Sequence, residues 1–119
     1  MKRLPAAFLW DIQPACSALS NFLQECEFTR YERDLMLSSA VERQLQNIGE
    51  ALTQLSKIAP KLAARVPQHR KHIGFRNVLV HGYAGLSDTE VWRALHKNLA
   101  ELHAAVRVLL QEVGTSSCP

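Results

Sequence analysis

Residues 34–58 read DLMLSSAVERQLQNIGEALTQLSKI. Leu37, Val41, Leu45, Ile48, Leu52 and Leu55 recur at steps of three and four, which places them on one face of a helix about five turns long. The helix is expected over about 34–58, and Pro60 ends the segment. Gly49 interrupts it mid-helix at a cost of about 1 kcal/mol against Ala. One explanation of a glycine there is a second helix crossing close by.

The same period recurs on both sides. Ser87-Asp88-Thr89-Glu90 reads as a capping box. Val91, Leu95, Leu99, Leu102, Val106, Leu109 and Val113 follow on one face. Upstream, Phe8, Ile12, Ala15, Leu19 and Phe22 predict a helix over about 5–25, with Pro14 kinking it or fraying its first turn. Between the long segments, 61–66 has room for one or two turns. Residues 68–81 form a further helix, with Phe75, Val78 and Leu79 expected inward and Gly82 as its stop. No alternating strand pattern appears. The expectation is an all-α, antiparallel bundle of four to five helices over residues 1–113, with 114–119 as a flexible tail.

Composition sets outer bounds. With 119 residues, 47% of them hydrophobic, the chain has room for one domain with its own core. The net charge of +3 permits a nucleic-acid partner without demanding one. Three cysteines, Cys16, Cys26 and Cys118, are an odd number without metal-type spacing, and they suit a reducing compartment such as the cytoplasm. Lys2 and Arg3 precede an apolar run over 4–10, but Asp11 and Pro14 break it, so no leader peptide is expected. No apolar run approaches the ~18 residues of a membrane span.

Chemistry concentrates in 73–83, IGFRNVLVHGY. Asn77 and His81, four apart, stack on one helix face. Arg76 lies about 140° around the axis from His81, since each residue advances ~100°. One helix therefore aims the two at a common point only awkwardly, whereas two copies facing each other across a two-fold axis would combine them in a composite cleft. A guanidinium that neutralises phosphate charge and an imidazole that moves protons form a minimal set for metal-free RNA cleavage. On the residues alone, the readings of Arg76 as a surface ion-pair partner and of His81 as bonding helix-end carbonyls are favoured, because R-x-x-x-x-H is a short pattern.

The segment 76–83 resembles the R-x4-H-x-Y signature of HepT-like proteins of the HEPN superfamily. The likeness extends to 41–52, ending in Ile48-Gly49-Glu50-Ala51, to the lead-in Ile73-Gly74-Phe75-Arg76-Asn77, and to Trp92. The sequence departs from the family pattern at Pro14 and over 67–72. The resemblance implies an all-helical homodimer, the toxin of a type VII-like HEPN/MNT toxin–antitoxin pair. It implies an endoribonuclease with no metal or cofactor, with Arg76 and His81 catalytic, Asn77 supporting them, and Tyr83 adenylylated by a minimal nucleotidyltransferase antitoxin. Arg70 and Lys71, in a basic cluster with His69 and His72, are candidate RNA-phosphate contacts. The alternatives are a non-catalytic helical partner of a nucleotidyltransferase, or a substrate-binding partner for one acting on small molecules.

Other residues are set aside. His96 and His103, seven apart, and His69 and His72, three apart, lack further metal ligands. Glu42 and Glu50 are more than two turns apart, too far for paired acids. Trp10 and Trp92 read as packing anchors.

Overall fold

The computed structural model describes residues 3–81 and 87–113, and these are helical almost throughout. The elements are α1 (Pro5–Leu23), α2 (Phe28–Arg33), α3 (Leu35–Ile58), α4 (Pro60–Ala64), α5 (His69–His81) and α6 (Asp88–Val113). The expected tail over 114–119, with Cys118, lies outside the described residues, as do Gly82 and Tyr83. No described helix is long and apolar enough to cross a membrane.

The long helices start and stop where their sequence directs. Asp34 caps α3, its Oδ1 accepting the Leu37 N–H at 3.0 Å. Ser87 Oγ accepts the Glu90 N–H at 3.1 Å, and the Glu90 carboxylate turns back to the hydroxyl at 3.3 Å, closing the capping box of α6. α1 runs unbroken through Pro14. Pro14 faces solvent, where water can satisfy the carbonyl one turn back that loses its helical donor.

The one helix beyond the expected four to five has a local cause. α2 is a turn and a half, too short to show a period, yet it places Tyr31 fully inside. Two residues with left-handed backbone set element boundaries. Glu25 (φ 56°) lies in the turn after α1, and Gln68 (φ 57°) holds the start of α5 back to His69.

The core is built by three helices. Leu9, Ile12, Cys16 and Leu19 of α1 meet Val41, Leu45, Ile48, Leu52 and Leu55 of α3, and Leu102, Val106 and Leu109 of α6 complete the cluster. α1 packs against both α3 and α6. Cys16 is sealed in this core, and burial pushes its thiol up to about 12, which leaves it protonated and unreactive.

α5 stands apart from this arrangement. It packs chiefly on α3, and His72 is its one buried residue. Ile73 and Leu79 rest on the core, but Val78 does not, contrary to the expected inward face. The α3–α5 contact is close because Gly49 lacks a side chain. A Cβ built there would run into the Arg76 Cβ and come within 2.8 Å of the His72 carbonyl oxygen. Both obstacles are rigid, so α5 would have to move away.

Gly49→Ala is therefore expected to destabilise the protein by about 1–3 kcal/mol in urea unfolding, despite the better helix propensity of Ala. A variant as stable as the parent would show that the two helices are not held at this distance.

Candidate functional site

Residues 72, 76 and 79 of α5 share the face turned to α3, and Arg76 is fixed there by two partners. Its Nη2 lies 2.7 Å from Glu50 Oε2 on α3. Its Nη1 donates to Asn77 Oδ1 at 2.9 Å. Glu50 is held in turn by Gln54 Nε2, which donates to Oε1 at 3.0 Å. The Arg76 side chain keeps 24% of its exposure and Glu50 keeps 47%. A pair this wet contributes at most about 1 kcal/mol to stability, so its main effect is to orient the guanidinium.

Sequence reasoning passed over Glu50 because it compared Glu50 with Glu42 along one helix. The informative relation runs across helices, since Glu50 follows the glycine that lets Arg76 approach. Glu42 faces elsewhere; its carboxyl is pushed up by burial and by the charge of Asp88.

His81 is the last residue of α5 and is exposed. α5 is continuous from His69, so the separation of about 140° between Arg76 and His81 stands. Asn77 joins Arg76 by its hydrogen bond and shares the face of His81. That face also carries Gly74 and Val78, at helical steps of three and four. Unlike Gly49, Gly74 has no described atom within 4 Å of where a Cβ would sit. Arg70 is exposed near this face. Lys71 sits over the Phe75 ring, 5.9 Å from its centroid. Tyr83 lies outside the described residues.

A groove of about 630 Å³ runs between α1 and α3. Glu50 and Gln54 form one wall, and Arg3, paired with Asp11 at 2.6 Å, forms the other. Arg76 and His81 do not line it.

The chain belongs to the HepT-like family. The family model, described as ribonuclease HepT-like, matches residues 12–109. A relative from Caldanaerobacter subterraneus, named "Putative RNase TTE0752", is 29% identical over 110 residues, covering 92% of this chain and 97% of its own. "Putative RNase MJ1380" of Methanocaldococcus jannaschii is 26% identical over 108 residues, covering 91% and 98%. "Probable ribonuclease HepT" of Thermococcus cleftensis is 28% identical over 102 residues, covering 86% and 92%. No solved structure matches significantly.

In this HepT-like chain His72 lies four residues before Arg76 and is 6% exposed, with neither ring nitrogen hydrogen-bonded among the described residues. Burial, followed by the charges of Lys71 and His69, pulls it down from 6.5 to about 4. The folded state thus disfavours imidazolium, and between these values the unfolded chain binds more protons.

Stability is therefore expected to be full above pH 6.5 and to fall by on the order of 3 kcal/mol as pH drops to about 4. Urea unfolding across that range should show the slope, and His72→Leu should flatten it. An unchanged slope in that variant would assign the effect to other groups.

Proposed function

We propose that this HepT-like chain is a metal-independent endoribonuclease working as a homodimer. Arg76 of one copy and His81 of the other share a cleft, with Asn77 supporting the guanidinium. The carrying observation is the outward face of α5. Gly74, Asn77, Val78 and His81 recur there at steps of three, one and three, and no described atom covers the glycine. An exposed mid-helix glycine costs about 1 kcal/mol against Ala. A second α5 crossing at Gly74 gives that cost a reason, just as α5 itself does for Gly49. The names of the relatives, all RNases, support the same reading.

The chemistry follows from the groups. The 2′-oxygen attacks the adjacent phosphorus while an imidazole takes its proton. The bond to the 5′-oxygen breaks, and that oxygen receives a proton from an imidazolium. The products are a 2′,3′-cyclic phosphate and a free 5′-hydroxyl. A two-fold dimer supplies two His81 side chains for these transfers, while Arg76 neutralises charge on the non-bridging oxygens. Incoming phosphate competes with Glu50 for the guanidinium. Arg70 and Lys71 add sequence-independent affinity.

In this reading the protein is a cytoplasmic toxin whose partner is a minimal nucleotidyltransferase antitoxin. That partner adenylylates Tyr83, two residues from His81, and the added bulk and negative charge repel RNA from the cleft. One observation favours a second reading. The Arg76–Glu50 contact at 2.7 Å suits a purely structural arginine in a non-catalytic partner of such an enzyme.

Cleavage of labelled RNA by the purified protein in EDTA separates the two. His81→Ala is expected to lower the rate by 10²–10⁴-fold with unfolding unchanged. An inert parent protein, or a fully active variant, overturns the nuclease reading.

Gly74→Ala is expected to raise the stability of the isolated chain by about 0.5–1 kcal/mol while weakening self-association, read by sedimentation against concentration. Unchanged association would remove the glycine from the interface.

A further inference from the structure

The first turns of α6 carry a second constellation that the Arg76–His81 pair does not use. Phe28 of α2 meets Trp92 edge to face, with centroids 5.7 Å apart. Tyr31 packs against the same indole at 5.4 Å from within the core. His96, one turn further along, lies against Trp92 with centroids 4.3 Å apart and rings tilted by 38°. His96 Nδ1 is 2.9 Å from the Trp92 carbonyl oxygen. A carbonyl only accepts, so Nδ1 carries the hydrogen and the imidazole plane is pinned. With one face against the indole, the exposed His96 ring has its other face left for a ligand.

Phe28, Trp92 and His96 line an open groove of about 500 Å³ with Thr89, Arg93 and Lys97. Arg93 and Lys97 are exposed and stand one turn apart, about 6 Å along the axis. Both also line a neighbouring groove of about 230 Å³ that reaches Lys71 and Phe75 on α5. Phe75 is the residue before Arg76. Glu90, the acid in that second groove, has its carboxylate turned to Ser87. A row of cations therefore joins the aromatic groove to the helix of the candidate site.

Aromatic faces beside spaced cations are what a single-stranded nucleic acid selects, because every base has a π-face and every link a phosphate. A free mononucleotide gathers its charge at one end. Two cations a turn apart, each shared by two grooves, suit successive phosphates of a strand instead.

We infer that the Phe28–Trp92–His96 groove is an RNA subsite. An unpaired base stacks on the outer face of His96, Arg93 and Lys97 hold the flanking phosphates, and the strand continues past Lys71 toward Arg76. This rests on the ribonuclease reading above and extends it to how substrate is held.

The test uses the full chain carrying Trp10→Phe, which leaves Trp92 as its one tryptophan. The probe is an all-2′-O-methyl RNA hexamer, which lacks the nucleophile and is not cleaved. It is expected to quench Trp92 emission. The double variant Arg93→Gln/Lys97→Gln should weaken it 5- to 20-fold and make the slope of log K against log salt shallower by about 1.4, at ~0.7 per phosphate contact. His96→Ala should weaken it at least 5-fold. In cleavage assays the double variant should raise KM and leave kcat within twofold. Unquenched emission, affinity indifferent to these exposed substitutions, or AMP binding as tightly as the hexamer would each overturn the subsite. The two proposals fail separately. If His81→Ala still cleaves RNA while the hexamer behaves as described, the catalytic assignment falls and the subsite stands. If His81→Ala abolishes cleavage and the groove variants alter neither binding nor KM, the subsite falls alone.

Discussion

The closeness of α3 and α5 at Gly49 governs the rest of the structure around the candidate site. A missing side chain lets the Arg76 Cβ and the His72 carbonyl press onto α3. That approach brings the guanidinium within reach of Glu50, the next residue along α3. Backbone separation is thereby converted into side-chain orientation. A longer interhelical distance would leave Arg76 to sample many rotamers, whereas here Glu50 and Asn77 hold it from two directions. Because the ion pair is half in water, it orients the group at little energetic cost, and a phosphate dianion or diester can displace the carboxylate.

The main core asks little of α5. Its stability comes from the inward leucines and isoleucines of α1, α3 and α6, which each contribute about 1.5–3 kcal/mol on burial. α5 turns His72, Arg76 and Leu79 toward α3, and its other face carries an exposed Gly74 with half-buried Asn77 and Val78. Such a helix is held in place by others while Arg70, Lys71, Gly74 and His81 stay exposed. A buried imidazole with no hydrogen-bond partner among the described residues is the cost of that placement, and it ties the helix to the pH range in which His72 is neutral.

Much of this was legible in the sequence, and the failures have physical causes. α3 and α6 declare themselves because a single amphipathic phase persists along each, and α6 begins at a capping box. Gly49 announced a close crossing, which is present. α2 escaped notice because six residues cannot establish a period. The inward face of α5 was misphased for a related reason. Thirteen residues with charged and apolar groups interleaved carry no clear stripe, and hydropathy favoured Val78 where packing selected His72 and Arg76. Glu50 was missed because cross-helix partners are set by tertiary register, which spacing along one helix does not encode.

Trp92 shows the same limit from the other side. As a packing anchor it was read correctly, since Phe28 and Tyr31 hold its indole against the core. What spacing alone did not reveal is that His96, one turn on, covers the indole and extends the aromatic stack outward to solvent. A tryptophan covered by Phe28, Tyr31 and His96 offers a base little free face, but the imidazole braced on it can receive one, because the brace removes the rotamer entropy that an isolated surface histidine would lose on stacking. Packing and recognition are thus successive layers of one cluster. The helix that completes the core carries at its start the surface best shaped, in ring faces and spaced charge, to hold a strand leading toward Arg76.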